Sequence, residues 1–279
     1  MSQQNNNITE RFISLERIIA SKNKMLLKII PKPLMRGFKN LIHLDEINSI
    51  IYKYRNIQGV SFATKVIEDE FKANVIVVNS QNIPATGRPM IICNHPLGGA
   101  DGLALISEIG KVREDVLFPV NDILCALPEF KNVFVPINKY GKNTENHGKL
   151  NAAFESNSVL IYFPAGMVSR KFKHNEIKDL EWKSTFIKKS IEYKRDIIPV
   201  YCDAKNTNFF YRFTKIRKVI GMKFNLEMIL LPREMFKQRG KNIRLIFGKS
   251  IPYTTFDNSK SAKQWAKEIR NIVYNLNKN

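Results

Sequence analysis

Cysteine, histidine and acid are all scarce in this chain, and long apolar runs are absent. The three cysteines among 279 residues, Cys93, Cys125 and Cys202, stand far apart with no CxxC pair. That pattern excludes a disulfide framework and a cysteine-built metal site, and it fits buried thiols of a reducing compartment. No run approaches the ~18 apolar residues of a spanning helix. The longest, Val159 to Val168, is interrupted by Pro164 and Gly166. Residues 1–7 are polar and uncharged, without the basic-then-apolar order of a signal peptide. The expectation is a protein of the cytoplasmic side that can lie on a membrane without crossing it.

Acid is short relative to base: 45 Lys and Arg against 25 Asp and Glu leave a net charge of +20. Such an excess predicts an anionic partner, whether nucleic acid, acidic lipid headgroups or an acidic carrier. Part of it lies between Lys22 and Lys39, where Lys22, Lys24, Lys28, Lys32, Arg36 and Lys39 meet no acid. Met25, Leu26, Leu27, Ile29, Ile30, Leu34, Met35 and Phe38 are interleaved with them. A basic and apolar helix of this kind suits the plane of an anionic bilayer surface. The plainer alternative is a helix packed on the core with a solvated basic face. A second belt, Lys205 to Lys249, sets twelve Lys and Arg against Glu227 and Glu234.

The pattern of apolar residues predicts an α/β fold. After a polar tail at 1–8, helical periodicity runs from Glu10 to about Ile30 and stops at Pro31 and Pro33. Two short helices over 44–70, parted near Gly59, complete a helical segment at 1–73 that is expected to associate with membrane. From Asn74 to the end, short apolar runs alternate with longer helical ones. Strands are expected at 74–78, 89–93, 116–120, 133–137, 159–163, 197–201, 226–231 and 243–247. Helices are expected at 102–110, 122–130, 145–157, 180–194, 208–219 and 232–239, with a closing helix over Ser259 to Leu276. Alternation of this kind predicts a sheet covered by helices on both faces. No internal repeat or linker divides residues 74–279, which read as one domain.

Among four histidines, His95 alone ends an apolar strand beside glycines, in Asn94-His95-Pro96-Leu97-Gly98-Gly99-Ala100-Asp101-Gly102. Glycines let backbone approach a substrate closely. An Asp bonded to one ring nitrogen sets the tautomer so that the other can accept a proton. A second turn, Phe163-Pro164-Ala165-Gly166-Met167-Val168-Ser169-Arg170, also follows an apolar strand and could present backbone N–H groups and a guanidinium to an anion. Two further strands carry an internal proline: Phe134 to Lys139, and Ile197 to Tyr201.

The order of these blocks resembles the glycerolipid acyltransferase superfamily, the PlsC-like lysophospholipid acyltransferases. The family's Asn-His-x4-Asp block is matched by Asn94, His95 and Asp101, with five intervening residues (His-x5-Asp) in place of four. Its block ending in Arg is matched by 133–139, with Lys139 at the end. Its Phe-Pro-Glu-Gly block is matched by Phe163, Pro164 and Gly166, with Ala165 for the Glu, Val168 for the Arg, and Arg170 two positions later. The last block is matched by Ile198, Pro199 and Val200. His-Pro-x-Gly-Gly-x-Asp with Phe-Pro-Ala-Gly-x-Val-Ser-Arg is similar to the bacterial branch once labelled hemolysins, which includes the O-acyltransferase part of ornithine- and glycine-lipid synthases.

The resemblance implies a mixed, largely parallel sheet and the transfer of a fatty acyl group to a lyso-lipid hydroxyl. The donor would be acyl carrier protein or coenzyme A thioester, a co-substrate, with no bound cofactor and no metal. His95 would act as general base and Asp101 would orient it. Backbone N–H groups around Gly98 and Gly99, or Ala165 and Gly166, would hold the oxyanion. Asn94, Gly98, Gly99, Lys139, Phe163, Pro164, Gly166, Ser169 and Arg170 would line the substrate site, with Lys139 and Arg170 toward the acceptor's anionic group. The acceptor stays open between 1-acylglycerol 3-phosphate, the superfamily's commonest, and an N-acyl amino-acid lyso-lipid such as lyso-glycine or lyso-ornithine lipid.

A basic nucleic-acid-binding protein is the rival of another class. The chain has no zinc-finger spacing, no RNP-like motif and no basic tail. The adjacent Phe209, Phe210 and Tyr211 point in different directions on a helix, as core packing requires, so no nucleic acid is expected. A non-catalytic lipid-binding relative is the third reading, and the intact His95 and Asp101 argue against it.

Overall fold

The computed structural model describes residues 13–22, 24–121, 124–137, 144–221 and 226–278. The tail expected at 1–8 lies outside them. Seven strands form one sheet: β1 (Asn74–Val78), β2 (Met90–Cys93), β3 (Val116–Asn121), β4 (Phe134–Ile137), β5 (Val159–Tyr162), β8 (Ile197–Asp203) and β9 (Asn242–Phe247). A separate antiparallel hairpin pairs β6 (Arg170–Lys171) with β7 (Ile177–Lys178). The order across the large sheet is β1-β9-β8-β2-β5-β3-β4, with every pairing parallel except β8 with β9. The sheet is thus mixed and largely parallel, as expected.

Burial on both faces explains why the central strands are apolar at every position. Ile91, Cys93, Val159, Ile161, Ile198 and Val200 point into one core cluster. Met90, Ile92, Leu160 and Ile197 alternate with them and point into the other. The first cluster is closed by the helices Leu44–Lys53, Gly59–Lys65 and Ala100–Gly110, with Phe236 of Leu231–Phe236. The second is closed by the helices Thr144–Glu155, Thr185–Tyr193 and Ala262–Asn275. The last of these starts at a capping box in which Ser261 and Gln264 satisfy each other's backbone N–H groups.

Four departures from the sequence-based expectation bear on the region from Leu124 onward. Residues 226–231 are not a strand: a 3-10 turn at Leu226–Leu230 runs into the helix Leu231–Phe236. Pro232 has no N–H to give a sheet and suits a helix start, and Leu230 and Leu231 bury against Val168, Phe210 and Tyr211 instead. The helix expected at 122–130 is, where described, two 3-10 turns at Leu124–Ala126 and Pro128–Phe130, separated by the helix-breaking Pro128. The helix expected at 180–194 spans only Thr185–Tyr193, because Trp182 turns inward to a carboxylate. The β6–β7 hairpin is too short to show a period of its own.

Candidate active site

The two turns singled out by sequence meet at the carboxyl ends of β2 and β5, where ligands bind in open α/β sheets. Strand β2 is central, with β5 paired on one side and β8 on the other. Asn94 locks that junction. Its side-chain amide donates to Cys202 O at 3.0 Å and accepts from Cys202 N–H at 2.7 Å, so it clamps β2 to β8. It is buried and faces the sheet.

His95 Nδ1 lies 2.9 Å from Asp101 Oδ2. The Asp101 side chain is fully buried at the start of the helix Ala100–Gly110 and also accepts the backbone N–H groups of Leu97 at 2.9 Å and Gly98 at 3.3 Å. Burial alone would raise its pKa. The His95 ring and the backbone donors outweigh that and hold the carboxyl below its usual value. Asp101 is therefore ionised, and Nδ1 carries the proton it shares with the carboxylate. The other face of the imidazole is set by Phe163, whose ring stacks on His95 with centroids 4.1 Å apart. Phe118 packs edge-on against Phe163 at 5.4 Å. The His95 side chain is 16% exposed.

Asp179, which no motif pointed to, holds the two turns together. Its Oδ1 accepts the His95 backbone N–H at 3.1 Å and the Ser169 hydroxyl at 2.5 Å. Trp182 Nε1 donates to its Oδ2 at 2.8 Å. Ser169 N–H in turn donates to His95 O at 2.8 Å, closing the loop between the blocks. Burial pushes the Asp179 carboxyl up despite these donors. The sequence signal was faint, because Asp179 borders a stretch whose periodicity reads as helix.

The glycines of the first turn are closely packed. Gly98 has φ +84°, and a Cβ there would lie 2.7 Å from Val168 Cγ2 and 2.8 Å from Leu231 Cδ2. A Cβ on Gly99 would lie 2.8 Å from Met235 Sδ. The close approach is thus to the protein's own side chains. The Gly98 N–H is directed at Asp101, and the Gly166 N–H closes its turn onto Phe163 O at 3.0 Å. Pro164 and Ala165 are buried, and Pro164 O accepts from Lys183 N–H.

Arg170 is buried and donates to Val168 O at 2.8 Å and to Glu227 Oε1 at 2.7 Å. Arg217 Nε lies 2.7 Å from the other Glu227 oxygen, making a buried Arg–Glu–Arg group. Burial lowers the Arg170 pKa, with Glu227 opposing it. Lys139 lies outside the described residues. Burial pushes the Cys93 and Cys202 thiols well above their ordinary value, so neither is a nucleophile. Among the described residues, no three His, Cys, Asp or Glu come together as metal ligands, and no helix is long and apolar enough to cross a membrane.

The sequence model of the acyltransferase family matches residues 17–279. The lyso-glycine lipid O-acyltransferase of Bacteroides thetaiotaomicron is 41% identical over 266 residues, covering 95% of this chain and 97% of that protein. The lyso-glycine lipid O-acyltransferase of Phocaeicola vulgatus is 40% identical over 266 residues, covering 95% of each. Among solved structures, the 1-acyl-sn-glycerophosphate acyltransferase PlsC from Thermotoga maritima is similar at TM-score 0.44 and 12% identity, over 94% of this chain and 92% of that one. The family match over residues 17–279 defines the class, an enzyme of acyl-group transfer. The chain belongs to the acyltransferase family and is an acyltransferase.

Proposed function

We propose that this acyltransferase moves a fatty acyl group from acyl carrier protein or coenzyme A thioester to the hydroxyl of a lyso-lipid, with lyso-glycine lipid as the acceptor. The observation that carries this reading is the His95–Asp101 contact in a chain so similar to two proteins of that name. An aliphatic hydroxyl is far too weak an acid to ionise alone, so it needs a base as it attacks the thioester. Nε2 of His95 takes that proton while Nδ1–H stays on Asp101, which stabilises the imidazolium that forms. The acceptor oxygen bonds to the thioester carbon, the tetrahedral intermediate collapses, and the thiolate leaves and regains a proton from the imidazolium. No acyl-enzyme forms, and no cofactor is bound.

Two features favour an amino-acid lipid over a glycerol phosphate. Ala165 is packed in the core where the PlsC-like block has its Glu, and Arg170 is taken up by Glu227. Residues 1–73 hold the enzyme to the cytoplasmic face of the membrane as a peripheral protein, through the exposed Met25, Ile29 and Leu34 and their basic neighbours.

The test supplies labelled acyl carrier protein thioester or acyl-coenzyme A to purified enzyme with lyso-glycine lipid, lyso-ornithine lipid and 1-acylglycerol 3-phosphate in detergent micelles. Ester product is expected from lyso-glycine lipid, absent in His95→Ala and down by about 10²- to 10⁴-fold in Asp101→Asn. Wild-type turnover in both variants would sink the mechanism; preference for the glycerol phosphate would sink the acceptor.

A further inference from the structure

The helix Asn208–Val219 is built inside out for a helix in water. Its buried side carries Phe210, Tyr211, Thr214 and the charged Arg217, which is only 7% exposed and meets Glu227. Its outer side carries Phe209 at 48%, Ile216 at 57% and Val219 at 80% exposure, and Ile220 beyond its end is 67% exposed. The positions 209, 213, 216 and 220 follow the three- and four-residue steps of one helical stripe, with Phe209 and Phe213 stacked at 6.4 Å. Ile229, on the 3-10 turn packed against this helix, adds another exposed side chain at 43%. Large apolar side chains exposed along one stripe mark a contact with something apolar.

Its flank is basic. From Ala204 to Ile216 the sequence contains Lys205, Arg212 and Lys215 and no acid. Arg212 and Lys215 are exposed beside the stripe, and the Arg233 guanidinium lies 4.7 Å over the Phe209 ring. The patch also borders the N-terminal helices, since Leu41 and Phe213 pack against the same small core cluster.

We infer that this outer face is a second bilayer-docking surface, which seats Phe209, Ile216, Val219 and Ile220 among the headgroups of an anionic membrane; the inference builds on the lyso-lipid reading above. An acidic carrier protein would be met by the cations alone. A stripe of large apolar side chains flanked by cations matches a helix lying in the plane of a charged bilayer. Arg217 and Glu227 tie this helix to Arg170, next to Ser169 and its bond to His95, so the docked surface holds a set relation to the base.

The test is sedimentation of the full chain with vesicles of equal phosphatidylcholine and phosphatidylglycerol. Ile216→Glu/Val219→Glu is expected to weaken binding at least about tenfold, since two anions enter a negative surface and two apolar contacts leave it. Turnover of lyso-glycine lipid in detergent micelles should stay at the wild-type level, which also shows the variant folded. As a second measurement, an environment-sensitive fluorophore on Val219→Cys in a Cys125→Ser background should shift to the blue on adding these vesicles. Wild-type vesicle binding by the double variant would overturn the proposal, as would a fluorophore that responds to acidic carrier protein and not to vesicles. If wild-type enzyme turned over no micellar lyso-lipid while the double variant still lost vesicle binding, the acyl-transfer reading would fail and the docking surface would stand.

Discussion

The Asp179 carboxylate accepts the backbone N–H of His95 at 3.1 Å across 84 residues of chain. The same oxygen takes the Ser169 hydroxyl, so one buried group sets the position of both turns. Asp179→Asn keeps the shape but replaces one acceptor oxygen with an amide donor. The backbone of His95 then shifts, and misplacement of a base on the order of 1 Å can cost about 10²-fold. We expect kcat to fall by about 10- to 100-fold with KM little changed. Steady-state kinetics with lyso-glycine lipid would check this, and an unchanged kcat would remove Asp179 from the positioning of the base.

Asp101 and Asp179 predict opposite responses to acid. The Asp101 carboxyl titrates below its ordinary 3.8 in the folded protein, so its ionised form stabilises the fold. That stability is fully present above about pH 4 and disappears as pH falls through the folded value. Asp179 titrates above 3.8, so its ionisation costs stability, and the cost disappears as pH falls toward the unfolded value. Melting temperatures across the acid range should show the deficit of Asp101→Asn shrinking below about pH 4. Wild type should gain on Asp179→Asn as pH falls toward about 4 from above. Parallel curves for the two variants would contradict the assignment.

Phe163→Leu keeps an apolar side chain but removes the ring on which His95 stacks. Aromatic pairs contribute about 0.5–1.5 kcal/mol beyond buried area, and the loss should appear mainly as a looser imidazole. Turnover should drop by about three- to tenfold, with the melting temperature changed by only a few degrees. A large loss of stability with normal turnover would mean that Phe163 serves the core and not the base.

Gly98 and Gly166 both have positive φ, +84° and +61°, but only Gly98 lacks room for a Cβ. Gly166→Ala should cost the backbone conformation alone, about 1 kcal/mol. Gly98→Ala adds a clash with Val168 and Leu231 and should cost about 2–4 kcal/mol. Urea unfolding of the two variants would measure the difference; equal losses would mean that the Val168 and Leu231 contacts give way freely.

Glu227→Gln would leave Arg170 and Arg217 buried without their shared anion. Breaking a buried pair this way costs about 3–5 kcal/mol, and a fall in melting temperature of several degrees is expected. Arg170→Met should destabilise the protein but leave KM for lyso-glycine lipid within about twofold, since the guanidinium is committed to Glu227 and Val168 O. A large rise in KM would return Arg170 to the acceptor's anionic group.

The His95–Asp101 contact was legible because both residues belong to one local unit, a strand end running into a helix start. Asn94, His95 and Asp101 are close in sequence, so their geometry follows from a short turn. Phe163 and Ser169 were legible as members of a second such unit. Their roles were not: the stack of Phe163 on His95 depends on β2 and β5 lying side by side. Asp179 went unseen because its value lies wholly in distant partners. Gly98 and Gly99 were visible as an invitation to close approach, and only the fold shows Val168, Leu231 and Met235 accepting it.

Residues 226–231 show the same limit in the other direction. A short apolar run is compatible with a strand or a buried turn, and Pro232 with the vacancy beside Val168 and Phe210 decided for the turn. The sequence by itself determined the alternation of strands and helices, the basic surface and the His–Asp turn, because local periodicity, charge and near-neighbour geometry need no tertiary partner. Tertiary structure alone decided that Arg170 faces Glu227, that Asp179 anchors His95, and that the helix Asn208–Val219 buries Arg217 and exposes Ile216. Those outcomes depend on which distant surfaces meet, and burial and pairing are properties of the meeting.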